Sequence, residues 1–341
     1  MTKVNLLTIH YGKCYGAVMQ TFATCRMLEQ AGHTVRVINL INPSQKGNWK
    51  SIHYWMDCVR EFQFWLFKKK YFSKLTNKAY SIKDINLPKS DVTVVGSDQV
   101  WRPLYSPFIH NMFLEFVGKK AIRRVAYAAS FGVDNMEYSD KQLKRCANLL
   151  KEFDGVSVRE TSGVDLCRIY FGIDALHVLD PTLLNDKEVY EELCQNVPVN
   201  SSKFLASYVL DISEEKKIYI EGVAKQFQLG VNYFTADEGF SLTIEEWLAM
   251  FRDASFIITD SFHGTIFSII FNKPFISLTN ETRGNSRFES LLFMLGLEKR
   301  LNLSFESVVD NDIDWVKIRE KIYVLRSQAF AFLHENLDLN G

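Results

Sequence analysis

The chain lacks any charge imbalance, with 40 Lys and Arg against 40 Asp and Glu. Nucleic-acid binding calls for a basic surface that neutralises phosphates, so this balance argues against that class. The six cysteines, Cys14, Cys25, Cys58, Cys146, Cys167 and Cys194, are scattered without a CxxC pair. That pattern disfavours a zinc site or a disulfide framework and suits a reducing cytoplasm; no metal motif is visible. No apolar run reaches the roughly 18 to 20 residues of a membrane span. The run before His10 is too short for a signal peptide. Neither GxGxxG nor GxxxxGK[ST] spacing occurs, and there is no internal repeat or low-complexity segment. A soluble cytoplasmic protein is expected, at most peripheral at the inner face of the membrane.

What is present is a globular chain of 341 residues, 47% apolar, large enough for two cores. Strand-like runs and helical periodicities alternate along it. Residues 4–9, 34–40, 91–95, 124–128 and 155–158 read as strands in the first part, with helices after residue 16 and across "ETSGVDLCRIYFG". The pattern restarts after "HVLDPTLLND", with strands at 203–209, 231–234 and 254–259 and helices at 214–227 and 244–251. The alternation predicts an α/β fold of two doubly wound, Rossmann-like domains, 1–190 and 191–341, facing across a cleft. The last helix, 315–334, either closes the second domain or crosses back onto the first.

Polar residues collect where these strands end, which is where open α/β sheets hold ligands. After the first strand, glycines that include Gly12 and Gly16 open a helix whose N–H groups suit an anion. "GSDQVW" follows the strand at 91–95, so Ser97, Asp98, Gln99 and Trp101 resemble a sugar-binding wall; a capped turn with Trp101 in the core is the alternative. Arg159 ends the strand at 155–158 and can grip a carboxylate or phosphate, or pair with Glu160 or Asp180. "RGNSRF" adds Arg283 and Arg287.

"ITDSFHGTIFSIIFNKPF" is the most informative stretch. It reads as a strand at 256–259, a tight corner, then a buried helix at 265–272. His263 stands in that corner behind Asp260 and Ser261, and Gly264 lets a ligand or backbone come close. An imidazole there can give or take a proton near neutral pH. His33, His53, His110, His177 and His334 have no such companions, and His10 lacks a partner motif.

"GAVMQTFA", "VVGSDQVW", "YAASFG", "SVRETSG", "VLDPTLL", "ITDSFHGTIFSIIFNKPF" and "SRFESLLFMLGLEKR" occur in order across nearly the whole chain. This ordered set resembles the polysaccharide pyruvyl transferase family. The resemblance implies a GT-B-like fold and transfer of pyruvate from phosphoenolpyruvate, a co-substrate with no further cofactor, to a sugar diol as a cyclic ketal in capsular, exopolysaccharide or other cell-surface glycan synthesis. It implies catalytic roles for His263, Asp98 and Asp260, a donor site at Arg159, Ser261, Gly264, Arg283 and Arg287, and an acceptor site at Gly16, Ser97, Asp98, Gln99 and Trp101. Asp260 has the alternative of capping the helix and orienting His263. Some relatives carry an arginine just before the histidine, where this chain has Phe262, and a lysine in the later loop, where it has "TRGNSR".

The acceptor sugar is lipid-linked, nucleotide-linked or polymeric on this reading. Residues 53–74, aromatic and basic, form a candidate interfacial helix for a membrane surface, with simple packing on the first domain as the alternative. Two other classes share these features: a nucleotide-sugar-dependent GT-B glycosyltransferase, and a non-catalytic subunit of a polysaccharide assembly complex.

Overall fold

The computed structural model describes residues 1–12, 14–41, 52–72, 74–106, 108–118, 122–235, 242–280, 283–302, 304 and 312–338, with backbone alone for 52–60. The side chains of 53–60 in the aromatic and basic segment, and Ser73, therefore lie outside the described residues, as does Thr282 of "TRGNSR".

Seven parallel strands make the first sheet: β1 (Lys3–Leu7), β2 (Thr34–Val37), β3 (Lys74–Leu75), β4 (Val92–Val95), β5 (Arg123–Ala129), β6 (Gly155–Val158) and β7 (Leu176–His177). Their spatial order is β3-β2-β1-β4-β5-β6-β7. The second sheet has four parallel strands, β8 (Phe204–Tyr208), β9 (Gly230–Tyr233), β10 (Phe256–Thr259) and β11 (Phe275–Ser277), in the order β11-β10-β8-β9. Each order reverses once, between β1 and β4 and between β8 and β10. At such a reversal open α/β sheets form a crevice outside the C-terminal strand ends, where ligands bind. This is the α/β, doubly wound, GT-B-like pair of Rossmann-like sheets that the sequence implies.

Side chains alternate across each strand, and that period of two distributes the core. Val4 and Leu6 of β1 and Phe204, Ala206 and Tyr208 of β8 belong to one buried cluster shared by both sheets, while Leu7 and Leu205 belong to separate outer clusters. Helix α1 (Tyr15–Gln30) lies in the shared core, where Tyr15 stacks on Trp247 with centroids 5.1 Å apart and planes 3° from parallel. Such a pair contributes about 0.5–1.5 kcal/mol beyond its buried area. The Tyr15 hydroxyl also donates to the Leu242 carbonyl at 2.6 Å.

The remaining helices that matter to the site are α2 (Ile52–Tyr71), α3 (Asp140–Leu150), α4 (Thr161–Leu166), α5 (Lys187–Leu193), α6 (Glu214–Gln226), α7 (Ile244–Asp253), α8 (Phe262–Ile270), α9 (Ser286–Leu295) and α10 (Trp315–Leu337). α10 returns to the first sheet, where Arg123 donates to the carbonyls of Asn336 and Asp338 and Thr2 to that of Leu337. Among the described residues no helix is long and apolar enough to cross a membrane.

Candidate functional site

α8 begins at Phe262, three residues earlier than its apolar pattern predicts, because Ser261 caps it by accepting from the Gly264 N–H at 3.3 Å. His263 therefore sits on the first helical turn rather than in a corner loop. Its ring is buried against Gly16 of α1: a β-carbon at residue 16 would stand 2.2 Å from Nδ1. Gly16, expected near the acceptor, is in fact the seat of the histidine. The imidazole Nε2 is buried, has no hydrogen-bond partner, and lies 3.7 Å from Asp180 Oδ2.

Asp180 follows β7 and joins the two domains. Its Oδ1 accepts from the Thr182 N–H at 3.0 Å and hydroxyl at 2.6 Å; its Oδ2 accepts from Arg159 at 2.8 Å and Ser97 at 3.1 Å. Burial alone would raise its pKa, but His263, Arg159 and Thr182 hold the carboxyl well below the usual carboxylate range. The sequence offered Asp180 only as a salt-bridge partner for Arg159, inside "VLDPTLL".

Arg159 ends β6 with a fully buried side chain. Besides Asp180 it reaches Asp98 Oδ1 at 3.3 Å, and its Nε has no partner. Asp98 stands in the left-handed region at φ 68°, folding its carboxylate back onto the Gln99 N–H at 2.8 Å. Its side chain keeps 13% exposure, so it remains reachable from the crevice. Gln99 packs against Gly132, where a β-carbon would come within 1.9 Å of Oε1.

The structure separates the two loop arginines. Arg283 forms a bidentate pair with Asp211 at 2.6 and 3.1 Å, and this pairing first of all pulls the Asp211 carboxyl down to about 2. Arg287, on α9, is 5% exposed and donates to the Arg283 carbonyl at 2.8 Å; its Nε has no partner. Among the described residues no carboxylate lies within 4 Å of its guanidinium. Burial, then the nearby Arg159 charge, lower its pKa to about 10, so it stays charged at neutral pH. Both Arg159 and Arg287 lie against the Phe262 ring, 4.7 and 5.4 Å from its centroid. A buried cation with no carboxylate at close range is costly, and the charges of Asp98 and Glu160 offset that cost only in part.

Four expected site residues have other work. Asp260, considered as a base, is fully buried and accepts from the Leu210 N–H at 2.6 Å, the Asp211 N–H at 3.2 Å, Lys216 at 2.7 Å and Asn280 at 3.1 Å. With four donors on two oxygens it holds the loop after β8 in place. Gly264 is needed for helix packing rather than ligand approach, since a β-carbon there would stand 2.2 Å from Thr259 Oγ1. Trp101 is not a cleft wall: it is fully buried, stacked on Phe113 at 5.0 Å, with its indole N–H on the Met112 carbonyl. Ser97 is buried as well and serves Asp180.

The sequence offers Glu160 only as a salt-bridge partner for Arg159. It is fully buried, and its Oε1 accepts the N–H groups of Phe131 at 2.7 Å and Gly132 at 3.1 Å, while Oε2 has no partner. Its adjacency to Arg159 in "SVRETSG" was the only signal available. Among the described residues no group of His, Cys, Asp and Glu is arranged to hold a metal ion.

Fold and site together define an α/β protein with two parallel sheets in which buried guanidinium groups and an imidazole gather at the ends of strands. The chain belongs to the polysaccharide pyruvyl transferase family, whose profile matches residues 15–282. Among solved structures, UDP-GlcNAc 2-epimerase from Neisseria meningitidis bound to UDP-GlcNAc is similar at 9% identity and TM-score 0.47, over 96% of this chain and 94% of that one. The S. aureus MnaA–UDP structure matches at 13% identity and TM-score 0.48, over 96% and 91%. The E. coli heptosyltransferase WaaC with ADP matches at 10% identity and TM-score 0.43, over 95% and 99%. No curated relative matches the chain.

Proposed function

We propose that the protein transfers the pyruvyl group of phosphoenolpyruvate to two hydroxyls of a sugar as a cyclic ketal, releasing phosphate, in cytoplasmic steps of cell-surface glycan synthesis. The observation that carries this reading is Arg287, a buried cation with no carboxylate at ion-pairing distance among the described residues, placed with Arg159 against the ring of Phe262, the neighbour of His263. Phosphoenolpyruvate brings a carboxylate and a phosphate; Arg287 offers a fork not paired with a carboxylate, and Arg159, whose terminal nitrogens hold Asp180 and Asp98, offers its free Nε. On this reading the donor-binding cation comes from α9, as Arg287. Arg283 is left out of the donor site because Asp211 already neutralises it.

The reaction protonates C3, lets one sugar hydroxyl add to C2, expels phosphate, and closes the ring with the second hydroxyl. Two hydroxyl protons are lost; one replaces the proton given to C3 and the other leaves with phosphate. His263 assists the departing phosphate, and Asp98, exposed enough to meet a sugar, accepts a hydroxyl proton. Gln99 orients the acceptor beside it.

The acceptor reading extends to α2. Phe62, Trp65 and Leu66 are 55%, 47% and 46% exposed, and Lys69 lies over Trp65 at 4.9 Å, so apolar and cationic groups share one helical face at i, i+3, i+4 and i+7. That face suits an anionic lipid surface carrying the acceptor. Sedimentation with phosphatidylglycerol vesicles, reversed by salt and by Trp65→Glu, is the expected result.

The first test is calorimetric titration of phosphoenolpyruvate and of UDP into the same preparation, followed by phosphate release with 4,6-diol hexose acceptors. Donor binding with acceptor-dependent phosphate release supports the reading. Tight UDP binding without phosphoenolpyruvate binding replaces it with a nucleotide-sugar glycosyltransferase.

A further inference from the structure

Glu160 has the features of a proton store rather than of a strut. It stands at the N-cap of α4 yet makes no cap bond; its Oε1 instead reaches the loop after β5 and takes the Phe131 and Gly132 N–H groups. Its Oε2 is buried without a hydrogen bond of good geometry, and the Ser130 hydroxyl on the flanking loop is close enough to pull the carboxyl's pKa down. The donation of the Thr161 N–H to Ser290 at 2.9 Å pins this turn to α9, the helix that carries Arg287.

The charge count explains what such a group is for. Arg159 pairs with Asp98 and Asp180, and Arg287 feels the charges of Asp98 and Glu160, so with all three acids ionised two guanidinium groups meet three carboxylates, a net negative charge that protonation of Glu160 removes as an anion enters. Asp180 is held ionised by its own donors. Glu160 differs: burial, the largest influence, raises its pKa against the opposing pull of Arg159, the Gly132 N–H, Arg287 and the Ser130 hydroxyl. The thiol of Cys167 is the other titratable group coupled to it, and it is pushed up to about 12, so it stays neutral.

Resting on the phosphoenolpyruvate reading, we propose that Glu160 is the acid that protonates C3 of the donor, and that the donor loads it by bringing negative charge beside it. The proton sits on Oε2, because Oε1 faces two N–H donors. In the step itself the C2–C3 π electrons form the new C3–H bond, the O–H bond of the carboxyl breaks, and Glu160 is left ionised while C2 becomes electrophilic. One of the two acceptor hydroxyl protons restores it. Residues Arg159 and Arg287 anchor the anionic groups of the same donor molecule.

Calorimetry of phosphoenolpyruvate binding in two buffers of different protonation heat, at several pH values, tests this in the full-length protein. Wild type is expected to take up close to one proton on binding, with affinity falling by about tenfold per pH unit where the free carboxyl is ionised. Glu160→Gln keeps an oxygen for Phe131 and Gly132, so it is expected to bind the donor without proton uptake and to lose turnover by about 10²-fold or more. Uptake that persists in Glu160→Gln, or that disappears only in His263→Asn, overturns the proposal while leaving the donor reading intact. Wild-type binding without proton uptake also overturns it, whether or not the variant folds. Failure of wild type to bind phosphoenolpyruvate at all instead removes the donor reading on which it rests.

Discussion

Replacing Arg287 by Met separates a ligand-binding cation from a structural one. The fall of its pKa from 12.5 to about 10 corresponds to about 3 kcal/mol of destabilisation of the charged form. Against this stand one hydrogen bond to the Arg283 carbonyl, about 1 kcal/mol, and the contact with Phe262, about 1 kcal/mol. Met keeps most of the apolar stem and carries no charge. Arg287→Met is therefore expected to leave stability unchanged or raise it by about 1 kcal/mol, where truncating an ordinary buried side chain costs about 2–5 kcal/mol. Since the depressed pKa lies far above 7, the relief is undiminished at neutral pH and fades only as pH rises through about 10. The assay is thermal unfolding with and without phosphoenolpyruvate. A hundredfold excess of donor over Kd stabilises wild type by about 2.7 kcal/mol, and Arg287→Met is expected to show no donor-dependent rise. A variant that unfolds several degrees below wild type and still gains stability from the donor would refute the reasoning, because Arg287 would then be a structural residue.

Gly16→Ala is expected to keep donor affinity within a few-fold but lower turnover by about 10²-fold, since a β-carbon 2.2 Å from the imidazole displaces His263 by about 1 Å. Kinetics on a His263→Ala background check it: there the glycine substitution should have no further effect. Asp260→Asn is expected to cost about 3 kcal/mol of stability through the loss of the buried pair with Lys216; wild-type stability with abolished turnover would instead return Asp260 to the chemistry. His10 is buried, and its pKa is lowered to about 4, first by burial and then by Lys68. The unfolded chain binds this proton more readily, so stability is full above about 6.5 and falls as pH drops towards 4, by up to about 3 kcal/mol. His10→Gln should flatten that acid limb in urea titrations; an unchanged slope would mean that His10 is not responsible.

The corner before α8 was legible because its signals are local. Asp, Ser and His between an apolar strand and an apolar helix state both the turn and the polarity of what it presents. The onset of the helix was not, because the apolar period begins at Thr265 while the cap is set by Ser261. Trp101 was ambiguous for a different reason: a tryptophan after a strand looks the same whether its ring faces a sugar or Phe113, and only the partner's position decides. Arg283 and Arg287 lie four residues apart in one loop and helix start, and no local rule distinguishes them. Their difference comes from Asp211, 72 positions away from Arg283.

The sequence by itself determined the βα alternation, the parallel sheets that follow from it, and the placing of polar groups at strand ends, because backbone periodicity and turn chemistry act over a few residues. Tertiary structure alone decided which charges are paired at close range and which are not. Asp211 takes Arg283, Asp180 joins Arg159 to His263, Lys216 and Asn280 occupy Asp260, and Arg287 remains unpaired. Those outcomes depend on distances between loops of two sheets, and ion pairing falls off with distance in space, not along the chain.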